Sequence, residues 1–108
     1  MAKNAIIILP TTGRTYDDIV AAREEGVRKI AEKGQFTVRD NLVETRYSDD
    51  MLKSLGIVSK KTFFLSKVLE AMSGCELAYF APGWATDDLT NEEHQIAVQS
   101  GIEILSGE

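Results

Sequence analysis

The sequence predicts an α/β domain: a parallel sheet of four or five strands between two helical layers, a three-layer sandwich. Three observations carry this expectation. Ala5-Ile6-Ile7-Ile8-Leu9 is continuously apolar and β-branched, without polar alternation, the pattern of a central strand covered on both faces. Leu77 to Ala81 is a second such run. Between the apolar runs lie segments of helical periodicity, and crossovers of that length imply parallel pairing with right-handed connections. With 108 residues the chain has length for one core, so 1–108 is read as a single domain.

The elements follow in order. After the first strand, Pro10-Thr11-Thr12-Gly13-Arg14 breaks the apolar run with hydroxyls and a glycine, at a strand's carboxyl end where open α/β sheets keep their ligands. Thr15-Tyr16-Asp17-Asp18 reads as a capping box. The helix it opens is expected to turn Ile19, Val20, Val27, Ile30 and Ala31 inward and to stop at Gly34. Phe36-Thr37-Val38 reads as a second strand, with Leu42-Val43 extending or following it. Ser48-Asp49-Asp50 precedes a short helix from Met51 to Leu55. Ser59 caps a longer one to about Met72, with Phe64, Leu65, Val68, Leu69 and Met72 at helical spacing. Gly74 closes it. Pro82-Gly83 turns the chain after the third strand, Thr90 caps a helix carrying Ile96, Ala97 and Val98 inward, and Ile102 to Leu105 forms the fourth strand. Four strands are few for such a sheet, which leaves room for a fifth or for a partner's strand.

Composition narrows the function. Hydrophobic residues make up 44% and charged residues 27%, as in folded globular domains. The net charge of -5 argues against a nucleic-acid polymer or an anionic membrane surface as partner. Cys75 is the single cysteine and reads as a small buried residue. With no internal disulfide and no signal-like segment, a cytoplasmic location is expected. One histidine and one cysteine do not make a zinc site, and the acids at Asp87, Asp88, Glu92 and Glu93 lack an EF-hand pattern, so no metal and no cofactor are expected.

Taken together, the motifs resemble the nucleoside 2-deoxyribosyltransferase-like superfamily, in its small phage and bacterial branch. Those chains open with a strand and a Gly-Pro-x-Thr-Gly type loop, matched by Pro10-Thr11-Thr12-Gly13. They close with an acidic residue, a short strand, Leu-Pro-Gly-Trp, a loop, Glu-x-x-x-Ala and Gly-Ile-x-Ile. The matching positions are Glu76, Leu77 to Phe80, Ala81-Pro82-Gly83-Trp84, Glu93 with Ala97, and Gly101-Ile102-Glu103-Ile104. The resemblance implies a flavodoxin-like (Rossmann-like) sheet and a nucleoside or nucleotide as small-molecule partner. It implies a carboxylate nucleophile at Glu93, a second acid at Glu76, and a homo-oligomer, dimer or higher. Pro10, Thr11, Thr12, Gly13 and Arg14 would shape the sugar side, with Gly83, Trp84 and Asp87 completing the substrate-binding set. Four positions depart from the family pattern: Asp87 replaces a serine, Leu89-Thr90 replaces Gly-Ala, and Val68 stands where an aspartate is usual.

Read from the residues alone, Thr90-Asn91-Glu92-Glu93 is a second capping box, in which Glu93 serves only the helix end. Trp84 is either a stacking platform for a base or an indole packed over the sheet edge or a neighbouring subunit. His94 projects about 100 degrees from Glu93 around the helix and reads as a surface or interface residue. Two functions from different classes remain: an enzyme that hydrolyses or transfers across an N-glycosidic bond, and a non-catalytic nucleotide-binding or protein-interaction module.

Overall fold

The computed structural model describes residues 3–10, 13–39 and 48–107. Thr11, Thr12 and the Leu42-Val43 pair lie outside the described residues. In chain order the elements are β1 (Lys3–Ile8), α1 (Tyr16–Lys33), β2 (Phe36–Arg39), α2 (Asp49–Ser54), α3 (Lys60–Met72), β3 (Leu77–Phe80), α4 (Asp88–Ser100) and β4 (Glu103–Ser106). A single 3-10 turn, Trp84–Thr86, links β3 to α4. The four described strands form one sheet in the order β2-β1-β3-β4, parallel throughout, which is the flavodoxin-like, Rossmann-like architecture.

The centre of the sheet is the pairing of Ile6, Ile7 and Ile8 with Ala78, Tyr79 and Phe80. Side chains alternate between the faces. Ala5, Ile7, Leu77 and Tyr79 point to one face and pack with Ile19 and Ile30 of α1. Ile6, Ile8, Ala78 and Phe80 point to the other, where Val68 and Met72 of α3 and Ala97 of α4 cover them. Full burial of a large aliphatic side chain contributes about 1.5–3 kcal/mol, so this apolar centre dominates the favourable energy. Among the described residues, no helix is long and apolar enough to cross a membrane.

The helix starts legible in the sequence are present. The Thr15 side chain accepts from Asp18 N at 3.1 Å while the Asp18 carboxylate accepts from Thr15 N at 3.4 Å. Ser48 and Ser59 cap α2 and α3. Cys75 is buried; its thiol donates to Ala71 O at 3.4 Å, and burial pushes its pKa up.

The inward face of α1 differs from the expected one. Ile19, Gly26 and Ile30 are buried, whereas Val27 is 38% exposed and Ala31 lies on the surface. The reason is the Tyr79 ring. A Cβ at Gly26 would stand 2.9 Å from Tyr79 Cδ2 and 3.2 Å from Ile7 Cδ1, so the absent side chain is what lets the helix lie on the sheet. A glycine adds nothing to an apolar periodicity, and the count shifts to its neighbour Val27. Gly26→Val is expected to lower stability by about 1–3 kcal/mol through overpacking. Ala31→Val on the outer face of the same helix should cost less than about 1 kcal/mol. Denaturant unfolding of the two variants checks the assignment.

Candidate functional site

The chain leaves β1 toward β2 on one side and β3 toward β4 on the other, so the loops after β1 and β3 diverge. The gap between them is the topological switch point, the usual ligand crevice of such sheets. Pro10, Gly13 and Arg14 belong to the first loop, and Pro82, Gly83 and Trp84 to the second. The Arg14 guanidinium ties the two, with Nη2 donating to Pro82 O at 3.1 Å. Gly83 makes this crossing possible. Its φ of 95° lies in the left-handed region, and any Cβ there would collide with the Arg14 guanidinium.

The start of α4 corrects the sequence reading. Thr90 does not cap it, and the box with Glu93 does not form. The helix begins earlier, at Asp88, with Asp87 as N-cap, its carboxylate accepting from Thr90 N at 3.1 Å. Thr90 is buried, and its hydroxyl donates to Trp84 O at 2.8 Å. Asn91 Nδ2 donates to Ala85 O at 2.9 Å. The 3-10 turn and the first turns of α4 are thereby sewn into one unit. Both Asp87 and Thr90 are good cap residues, and the sequence signal chose the one followed by Glu.

Glu93 consequently lies in the second turn of α4. It is 2% exposed and shares a stripe with buried Thr90 and Ala97. Ala97 packs with Ile8 and Phe80, so Glu93, one turn nearer the helix start, lies toward the carboxyl edge of the sheet. Val98, expected inward, is 56% exposed, because the stripe runs through Thr90, Glu93 and Ala97 instead. A carboxyl group is among the least favourable groups to bury.

The next residue on α4, His94, belongs to a compact aromatic group. The Trp84 indole stacks on the His94 imidazole with centroids 3.8 Å apart and planes 15° from parallel. Phe80 meets both edge-on, at 4.8 Å from His94 and 5.8 Å from Trp84. Trp84 Nε1 donates to Ser106 Oγ at 3.4 Å, fastening the indole to the end of β4. The sequence reading had His94 as a surface or interface residue; it is half-buried, and its ring packs within the chain on Trp84 and Phe80. No periodic signal links a turn tryptophan to a histidine on the following helix. Burial alone lowers the His94 pKa below its ordinary value.

The remaining candidates divide. Glu76 stands just before β3, at the opposite end of that strand from Pro82–Trp84; a four-residue strand spans about 13 Å. Its Oε2 accepts from Asn4 N at 2.5 Å. With Leu69, Met72, Ile96 and Ile102 it lines a separate groove of about 580 Å³. Glu76 and Glu93 are thus not brought together. Near the α4 start, Glu92 pairs with Lys61 at 2.8 Å, which raises the Lys61 pKa. Lys61, Thr86, Asp87, Asp88 and Leu89 line a cleft of about 340 Å³. Among the described residues no three His, Cys, Asp or Glu side chains are grouped to hold a metal ion.

Fold and site together define an open parallel α/β domain that carries, toward the carboxyl edge of its sheet, a buried glutamate on α4 and an indole stacked on the histidine next to it in the chain. Comparison of the chain with family models, with curated proteins and with solved structures found no match.

Asp87→Ala is expected to destabilise the protein by about 0.5–2 kcal/mol through loss of the cap. Thermal unfolding checks this. The depressed His94 pKa sets a pH dependence. Above its ordinary value of 6.5 the imidazole is neutral both folded and unfolded. Below that value the unfolded chain takes up the proton first, so stability falls as pH drops through 6.5 toward the lower folded value. The difference in unfolding free energy between wild type and His94→Phe, followed against pH, should show this slope.

Proposed function

We propose that the protein cleaves the N-glycosidic bond of a nucleoside or nucleotide, as a hydrolase or deoxyribosyltransferase, with the Glu93 carboxylate as nucleophile. The observation that carries this reading is the burial of Glu93 at a core-facing position of α4 where it serves no cap. Burying a carboxyl group costs stability, and such costs are retained where chemistry needs the group.

In the first step a Glu93 oxygen bonds to the anomeric carbon. The bond from that carbon to the base nitrogen breaks, and the electron pair leaves with the base, which takes up a proton. In the second step the oxygen of water, or a ring nitrogen of an acceptor base, bonds to the same carbon and gives up its proton, while the bond from that carbon to the Glu93 oxygen breaks and frees the carboxylate. This is the two-step logic of retaining glycosidases. Pro10, Gly13 and Arg14 would border the sugar side, and Gly83 and Trp84 the base side. The position of Glu76 at the far end of β3 supports assigning the chemistry to Glu93 without it. Exposed Leu55 and Val58 support a homo-oligomer, and the lone cysteine a cytoplasmic setting.

A second reading, a non-catalytic nucleotide-binding or protein-interaction module, draws support from two observations. Asp87 is committed to the α4 cap, and one face of Trp84 is already stacked on His94.

Incubation with a panel of 2′-deoxynucleosides and their 5′-monophosphates, followed by chromatography for free base, separates the readings. Glu93→Gln should slow base release by about 10²-fold or more while the protein stays folded. Absence of base release from every substrate by the wild type, or release undiminished in Glu93→Gln, would overturn the enzymatic reading.

A further inference from the structure

Trp84 sits on the turn after β3 and His94 on the body of α4, yet their rings overlap almost face to face at 3.8 Å. The three centroid separations make nearly a right angle at the imidazole, with Phe80 off to the side of the stack. Phe80 therefore buttresses the edge of the pair and does not cover the outer face of the indole. The indole is fixed on three sides: by His94 against one face, by Phe80 along an edge, and by Ser106 at Nε1. The ring is only half-buried. Such restraint suits a surface that must present its plane in one orientation, since ordering a ring only on binding would subtract from affinity.

We propose that His94 is a positioning residue, whose imidazole backs one face of Trp84 and holds the opposite face as the stacking surface for a planar heterocyclic base. The proposal rests on the nucleoside reading above and extends it to a residue which that reading leaves without a role. The chemistry is sequence-tolerant: every nucleobase has a π-face, so stacking on a pre-set indole recognises the class and leaves discrimination between bases to other groups. Glu93 and His94 are consecutive, so one turn of α4 supplies the nucleophile and the backing of the base platform in fixed relation.

Trp84 is the only tryptophan, so intrinsic fluorescence reports on this ring alone. Without ligand, the fluorescence anisotropy of the indole should fall in His94→Ala and be retained in His94→Phe, which keeps a flat ring in place. Titration with 2′-deoxyadenosine and with 2′-deoxycytidine should quench wild-type fluorescence saturably. Binding should be about tenfold weaker in His94→Ala and close to wild type in His94→Phe. His94→Leu keeps bulk without a flat ring and should behave like His94→Ala; it decides the matter if the alanine variant does not fold. Unchanged anisotropy, or undiminished binding in variants lacking the ring, would overturn the role of His94 and leave the nucleoside reading standing. Absence of saturable quenching in the wild type would overturn the stacking surface itself, and Glu93-dependent base release reports on the catalytic reading independently.

Discussion

Ile6, Ile7 and Ile8 lie against Ala78, Tyr79 and Phe80 in parallel register, and all six side chains are buried. Two adjacent strands that are apolar on both faces cannot be stable with either face in water. Helices must therefore cover the sheet on both sides, and the chain supplies them in opposite directions: α1 returns to β2 across one face, and α4 leads to β4 across the other. The divergence opens a crevice at the carboxyl ends of the same two strands. The pairing that makes the core and the gap that makes the candidate site are one feature seen from its middle and from its end.

What fills the edges of that gap follows from short-range chemistry. Two loops that leave in opposite directions need a tie, and Arg14 provides it through Pro82 O. The tie in turn demands a residue without a side chain beneath the guanidinium, in left-handed conformation, and Gly83 meets both demands. The adjoining 3-10 turn delivers Trp84 to His94, and Thr90 and Asn91 anchor the turn to α4 through backbone carbonyls. Pro-Gly-Trp is thus a connected unit: the glycine admits the arginine, and the turn it opens carries the indole.

The sequence showed the frame more clearly than the detail. β1 and β3 were legible because nothing polar interrupts them, and the caps of α1, α2 and α3 because Thr15, the Ser48-Asp49-Asp50 stretch and Ser59 stand just before helical runs. The α4 start was misjudged because Asp87 and Thr90 compete for the same role, and the outcome depends on how the turn before it is hydrogen-bonded. Gly26 was passed over because a missing side chain carries no periodic signal, although Tyr79 needs that space. The stacking of His94 on Trp84 was not legible because its partner lies on another element, and aromatic contacts between elements leave no spacing to read. Within the candidate site, the loop residues and Glu93 were visible as types, and the separation of Glu76 from them was not. A residue before a parallel strand and a residue after it are close in sequence and at opposite edges of the sheet.

Moving the helix start from Thr90 to Asp87 alters the meaning of Glu93. At a helix start an acid is favoured by free amides and by the dipole, and its presence needs no further cause. In the second turn, beyond the four amides that lack partners, helix termination asks for nothing there. What remains is a carboxyl group on the core-facing stripe, between Thr90 and Ala97, at a place where an apolar residue would extend the packing of Ile8 and Phe80. Replacing a buried charged group by an apolar one of like size is often neutral or stabilising. A glutamate there forgoes that packing, and this cost is what the proposed nucleophile role would account for.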